Sequence, residues 1–191
     1  HYMFDTAKRF KAFETLIDDG EYFTINRARQ YGKTTTLLMI WQRLSERYLV
    51  IPLSFEGLGE TPFKNEASFV SSFVGKMSDR LEGFGCDRDL IDVWRNIVKD
   101  GDSEESLSLD DLSKMITLFC KKSPKPVVVT IDEVDKSSDN QLFLNFLGML
   151  RNKYLERDVE GMDHTFHSVL LAGVYDIKNL KIKIRPDAEK K

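Results

Sequence analysis

The chain contains few of the residues from which disulfide frameworks and zinc sites are built. Its 191 residues include 2 cysteines and 3 histidines. Cys86 and Cys120 are isolated and have no CxxC spacing, and the histidines have no zinc-site spacing relative to them. We therefore expect two reduced thiols and no metal site built from Cys and His.

Long apolar runs and a large excess of one charge are also missing. No segment approaches the roughly 18 apolar residues of a membrane span, and the N-terminal HYMFDTAKRF lacks the apolar core of a signal peptide. The 28 basic and 31 acidic residues leave a net charge of −3, which argues against a dedicated nucleic-acid surface. We expect a cytoplasmic protein with no membrane partner.

Short apolar runs alternate along the chain with amphipathic segments. Aromatic and β-branched runs predict strands at 22–26, 48–55, 127–135 and 167–174. Apolar residues at helical spacing predict helices at 10–20, 33–47, 65–85, 89–99, 108–121 and 142–156. This alternation predicts an α/β domain with a mostly parallel sheet, in which ligands bind at the carboxyl ends of the strands.

The segment YFTINRARQYGKTTTL (residues 22–37) has the order strand, loop and helix, and its loop ends in GKT. In a phosphate-binding loop, Gly32 would let the backbone approach the phosphates. Lys33 would contact the β- and γ-phosphates, and the Thr34 hydroxyl would bind Mg²⁺. The other predicted nucleotide-binding residues are Arg27, Arg29, Gln30, Tyr31 and Thr35.

A complete P-loop has a glycine where this chain has Arg27. The guanidinium groups of Arg27 and Arg29 could clamp phosphate oxygens, or pair with nearby carboxylates when the site is empty. The alternative is that both are solvated loop arginines.

The segment VVVTIDEVD (residues 127–135) has the form of a Walker B strand, an apolar run that ends in two acids. Asp132 would hold Mg²⁺ together with Thr34, and Glu133 would orient or activate the attacking water. Both acids could instead only solubilise a loop. Their occurrence after a GKT loop favours the nucleotide site, with Lys33 and Glu133 as the catalytic residues.

Base and phosphate sensing are less well defined by the sequence. The chain lacks the NKxD motif that reads guanine, and the Asp-Glu pair fits ATP better than GTP. Tyr175 or Asp176, after the last predicted strand, could sense the γ-phosphate or position water. The alternative is that they form only a turn.

Three stretches together resemble the predicted AAA-like ATPase family of bacterial proteins, which is related to archaeal and STAND-type P-loop ATPases. They are YFTINRARQYGKTTTLL, VVVTIDEVD and SVLLAGVYDIKNLKIKIRP. The resemblance extends from about Phe10 to Pro186. Arginine is common in this family at the position of Arg27, whereas the proline often found next to it is Ala28 here.

The resemblance implies a P-loop NTPase fold of the ASCE/AAA-like type, a mostly parallel sheet between helices. The Walker A strand would neighbour the sensor strand, with the Walker B strand beyond it. Residues 10–186 would form this core, without a C-terminal lid, between an N-terminal extension or expression remnant (residues 1–9) and a charged tail (residues 187–191).

The family resemblance also implies partners. Neighbouring subunits of a homo-oligomer normally supply arginine fingers to such sites, and many members continue into a lid and a nuclease-like domain. We expect the natural protein to continue beyond the charged tail in the same way.

Three functions follow from these features. The first is a Mg²⁺-dependent ATPase whose turnover drives a conformational change. The second is a switch or scaffold that binds ATP without hydrolysing it and regulates a C-terminal nuclease-like effector. The third, direct nucleic-acid binding, depends only on four basic residues near the end of the chain, Lys178, Lys181, Lys183 and Arg185.

Overall fold

Four parallel strands form one sheet at the centre of the protein. The computed structural model describes residues 2–26, 33–56, 59, 61–96, 107–134, 140–157, 159 and 164–173. The strands are β1 (Tyr22–Asn26), β2 (Leu49–Ser54), β3 (Val127–Asp132) and β4 (Ser168–Gly173). Their order across the sheet is β1-β4-β3-β2, as the family resemblance implied. The fold class is therefore confirmed.

Helices cover both faces of this sheet. They are α1 (Tyr2–Asp18), α2 (Lys33–Leu44), α3 (Glu66–Gly83), α4 (Arg88–Arg95), α5 (Leu109–Lys122) and α6 (Gln141–Glu156), with a 3₁₀ turn at Thr61–Phe63. None of these described helices is long and apolar enough to cross a membrane.

Successive residues of each strand point to opposite faces of the sheet and so feed two separate cores. Val128 and Leu170 pack with residues of α1 and α2. Val129 and Leu171, one position further along, pack with residues of α3, α4, α5 and α6. The domain therefore has three layers, with β3 and β4 buried between the helical ones.

The connections between strands explain this division of the helices. From β1 the chain crosses two intervening strands to reach β2, with α2 on one face. It then returns by single steps through β3 to β4, with α3–α6 on the other face. The connections after β2 run across the sheet in the opposite direction to the first one and lie on the opposite face. All crossovers therefore have the same hand, as is the rule for parallel sheets.

Several element boundaries differ from the sequence-based expectation, and two of them matter most for the architecture of the domain. Helix α1 begins at Tyr2, and so includes most of the segment predicted to precede the core. Strand β3 ends at Asp132 although the apolar and acidic run continues to residue 135. The physical reason is a left-handed backbone at Glu133, whose φ is 60°, because an extended strand cannot continue through that conformation.

Side-chain contacts to the backbone close the amino edge of the sheet. The ring Nε2 of His167 lies 2.7 Å from the carbonyl oxygen of Ile17 and, facing an acceptor, must donate. Arg157 donates to the carbonyl oxygens of Gly20 at 2.6 Å and His167 at 3.2 Å. These bonds attach the end of α1 and the start of β4 to the end of α6.

Candidate functional site

The carboxyl ends of the strands meet at one edge of the sheet. Asn26 at the end of β1 pairs in register with Gly173 of β4. Asp132 at the end of β3 pairs with Ala172 of β4 on one side and with Ser54 of β2 on the other. Since neighbouring strands lie about 4.8 Å apart, the ends of β1 and β3 are separated by about 10 Å.

Helix α2 begins at this same edge. It starts at Lys33, the seventh residue after Asn26, and its 12 residues span about 18 Å. That length carries the chain back along the sheet to Leu49, where β2 begins at the amino edge. Leu37, Ile40 and Leu44 fix the helix against the sheet because all three lie in the core on that face.

The first turn of α2 favours an anion. Its sequence is KTTT, with a lysine and no acidic residue. The first turn of α6 also lacks an acidic residue, whereas those of α3, α4 and α5 each contain one. The N-terminus of a helix has a partial positive charge, and its first backbone N–H groups have no partner within the helix. Backbone, dipole and sequence together make this end of α2 suitable for phosphate.

Asp132 lies on the face of the sheet that α2 covers. Residues paired in register across parallel strands point to the same face. Asp132 pairs with Ala172, and Ala172 pairs with Ile25. Both apolar partners belong to the core beneath α1 and α2. The carboxylate of Asp132 and the start of α2 therefore share one face and one edge of the sheet.

The backbone turns sharply after Asp132. The N–H of Glu133 donates to Oδ1 of Asp132 at 2.7 Å, which orients that carboxylate. Glu133 has φ of 60° and is the one non-glycine residue with positive φ in the described part of the chain. For an L-residue this left-handed conformation costs about 1–2 kcal/mol.

Glu133 is also buried, with 8 % of its surface exposed. Burial separates this carboxylate from bulk water, and it accompanies a strained backbone at the same residue. Backbone strain of this kind is concentrated at active sites and ligand-binding clamps. The structure thus gives Glu133 two features that a solvated loop acid would lack.

Two neighbouring contacts hold the strained turn in place. The backbone N–H of Phe55 donates to the carbonyl oxygen of Asp132 at 3.0 Å and so extends the β2–β3 pairing beyond Ser54. Val134, on the other side of Glu133, is completely buried in the core beneath α3–α6. The residues before and after Glu133 are therefore fixed independently.

The structure places some of the sequence-predicted site residues and not others. Asp132 and Glu133 lie at the carboxyl edge, and Lys33, Thr34 and Thr35 lie in the first turn of α2. The remaining residues fall outside the part that the structure describes; they are Arg27, Arg29, Gln30, Tyr31, Gly32, Tyr175 and Asp176. Their assignments stay predictions, as do the roles of the residues that are placed.

The residue types at the end of β3 and at the start of α2 are ones that nucleotide-bound Mg²⁺ accepts as ligands. A carboxylate on β3 and a hydroxyl in the first turn of α2 are both hard ligands. Mg²⁺ in nucleotide sites typically takes one or two protein ligands and completes its shell with phosphate oxygens and water. Asp132 and Thr34 match that requirement in kind and in placement along the chain.

Sequence reasoning missed Phe55 and the conformation of Glu133. The signal for Phe55 would have been the register between β2 and β3, which spacing within each strand does not contain. The left-handed turn could not be predicted from residue type either. Glycine is the residue that normally occupies such a conformation, and this chain has a glutamate there.

A three-layer α/β domain, in which a helix suited to phosphate begins beside an acidic pair at the end of a central strand, has the architecture of a P-loop NTPase. The comparison with family models agrees, because the model of the AAA-like domain matches residues 2–175. The chain therefore belongs to the AAA-like domain family. A search of curated proteins gives no significant match. Family membership indicates a nucleotide-binding, ATPase-type function, and it is compatible with oligomerisation.

Proposed function

We propose that this protein binds ATP with Mg²⁺ at the carboxyl edge of the sheet and hydrolyses it to drive a conformational change. The observation that carries the proposal is the placement of Asp132 and Glu133 at the edge where α2 begins, with Asp132 on the face that α2 covers. Chain connectivity alone does not require this, because more than 80 residues separate the two elements.

Each group has a defined part in the reaction. The backbone N–H groups at the start of α2 and the ammonium of Lys33 would bind the phosphates. Asp132 and Thr34 would hold Mg²⁺, which, when bound, neutralises charge on the phosphate oxygens. Arg27 and Arg29 would clamp phosphate oxygens from the connecting loop.

Glu133 would act on the water. Attack of water on the γ-phosphorus breaks the bond to the oxygen that bridges the β- and γ-phosphates, and gives ADP and phosphate. The Glu133 carboxylate would orient that water and accept its proton. A buried carboxylate held in one backbone conformation suits this task, because water must be placed in line with the breaking bond.

Two substitutions separate binding from hydrolysis. Lys33→Ala should raise the dissociation constant for ATP by about 10- to 100-fold or more. This range corresponds to the loss of a charge-assisted hydrogen bond to phosphate. Glu133→Gln should leave ATP affinity almost unchanged and lower turnover by about 10²- to 10⁴-fold. Binding is measured by calorimetry with Mg²⁺, and turnover by phosphate release.

Matched controls come from helix surfaces away from this edge. Lys114→Ala on α5 and Glu156→Gln at the end of α6 remove the same functional groups, and neither should change binding or turnover. Equal turnover in Glu133→Gln and the unmodified protein would exclude the proposed role of Glu133. Tight Mg²⁺-ATP binding without any turnover would instead favour the non-hydrolysing switch.

A further inference from the structure

Phe55 joins the end of β2 to the turn that carries Glu133. Its backbone N–H is bonded to the carbonyl oxygen of Asp132 at 3.0 Å, one peptide before the strained residue. Its side chain is 2 % exposed. The position of the Asp132 carbonyl therefore depends on where the Phe55 ring is packed.

The Phe55 ring is enclosed by three other phenylalanines from separate elements. Its centroid lies 5.9 Å from that of Phe143 on α6, 6.3 Å from that of Phe69 on α3 and 6.3 Å from that of Phe63 in the 3₁₀ turn. Interplanar angles of 75°, 89° and 69° make all three contacts edge-to-face, a favourable arrangement of aromatic rings. We name these four residues the edge aromatic cluster.

We propose that Phe55, held by the edge aromatic cluster, is a positioning residue that keeps Glu133 in its left-handed, reactive conformation. The catalytic consequence rests on the proposed ATPase function, whereas the conformational part does not. Phe55 itself touches neither phosphate nor water in this scheme. It acts through the peptide between Asp132 and Glu133.

The backbone of Glu133 is strained at its φ of 60°. An L-residue at φ of 60° relaxes toward negative φ unless the peptides on both sides are fixed. Val134 is fixed by burial on the far side, and the Phe55 N–H fixes the near side. A smaller side chain at position 55 leaves space into which the end of β2 can move, and the bond to the Asp132 carbonyl weakens with that movement.

The test compares two phenylalanines with similar burial. Phe55→Leu loosens the ring that holds the turn. Phe73→Leu is the control, because Phe73 on α3 is 1 % exposed and its ring contacts Phe69, Trp94 and Phe146 instead. Both substitutions leave a cavity in the same core, so they should lower the melting temperature by similar amounts.

Turnover and binding should separate the two variants. We expect Phe55→Leu to lower kcat by about tenfold or more, since small displacements of a catalytic group have effects of that size, with the ATP dissociation constant changed less than about threefold. Phe73→Leu should change neither.

Amide hydrogen exchange tests the same inference without activity. The N–H groups of Phe55 and Glu133 are bonded to Asp132, so both should exchange at least tenfold faster in Phe55→Leu than in Phe73→Leu. Equal exchange and equal loss of kcat in the two variants would overturn the proposal. If the unmodified protein does not hydrolyse ATP, the proposed function fails, and the exchange experiment alone then decides the role of Phe55.

Discussion

Replacing Glu133 by glycine should stabilise the protein relative to replacing it by alanine. Both substitutions remove the carboxylate and every contact that it makes, so their difference reports only on the backbone. At φ of 60°, alanine retains the cost of a left-handed L-residue, about 1–2 kcal/mol, and glycine does not. Glycine instead loses more backbone conformational entropy on folding, which costs about 0.5–1 kcal/mol of stability.

The net of these two terms favours glycine by about 1 kcal/mol. At an ordinary helical position the sign is reversed, because glycine is about 1 kcal/mol less stable than alanine there. Asp79 on α3 is exposed and inside the helix, and so provides the reference pair. The glycine-minus-alanine differences at positions 133 and 79 should have opposite signs and differ by about 2 kcal/mol.

Equilibrium unfolding in urea measures all four variants, and the free energies of unfolding are compared within each pair. A difference of 1 kcal/mol also moves the melting temperature of a chain of this size by about 2–4 °C. If Glu133→Ala proved as stable as Glu133→Gly or more so, the backbone at Glu133 would not be strained. Phe55 and Val134 would then have no strained conformation to hold.

Two further predictions concern helix ends. Gly20→Ala should cost about 2–3 kcal/mol and Gly85→Ala about 1 kcal/mol in unfolding free energy. Both glycines have positive φ, 70° and 66°, which is unfavourable for alanine. A Cβ at Gly20 would in addition lie 3.1 Å from the carbonyl oxygen of His167, whereas one at Gly85 meets nothing within 4 Å. Equal losses of unfolding free energy in the two variants would contradict the prediction. Asp111→Ala should cost about 1 kcal/mol near pH 7, because Asp111 completes a capping box with Ser108. The hydrogen bonds from Ser108 lower the pKa of Asp111 below its ordinary 3.8, so this stability is complete above pH of about 4 and lost as pH falls through the lowered pKa. The measurement is urea unfolding at several pH values, with Asp110→Ala, at the exposed neighbouring residue, as the control. The cap would be refuted if the loss of unfolding free energy in Asp111→Ala did not shrink in acid.

The sequence was sufficient to predict which segments form the sheet. The run YFTIN coincides with β1, and VVVTID with β3, because continuous apolar β-branched runs are typical of strands buried on both faces. The strand order was implied by the family resemblance and is confirmed by the structure. The order then brings the ends of β1, β4 and β3 to one edge, as expected for a parallel sheet.

The precise form of the acidic turn could not be predicted in the same way. Periodicity defines which residues of a strand share a face, but it leaves the register between β2 and β3 open. That register pairs Ser54 with Asp132 and so makes Phe55 the residue that holds the turn. The conformation of Glu133 is imposed by contacts on both sides of it rather than by its own preference, and a local sequence pattern does not contain those contacts.

The two halves of the candidate site belong to different layers of the domain. Helix α2, which would hold the phosphates, is packed into the core shared with α1. Phe55 and Val134, which hold the turn at Glu133, are packed into the core shared with α3, α4, α5 and α6. The sheet joins the two layers, and the distance from Glu133 to a bound γ-phosphate depends on how the layers sit against it. A substitution that loosens the core beneath Phe55 should therefore alter ATP hydrolysis more than ATP binding. One that loosens the core beneath α2 should alter ATP binding more than hydrolysis.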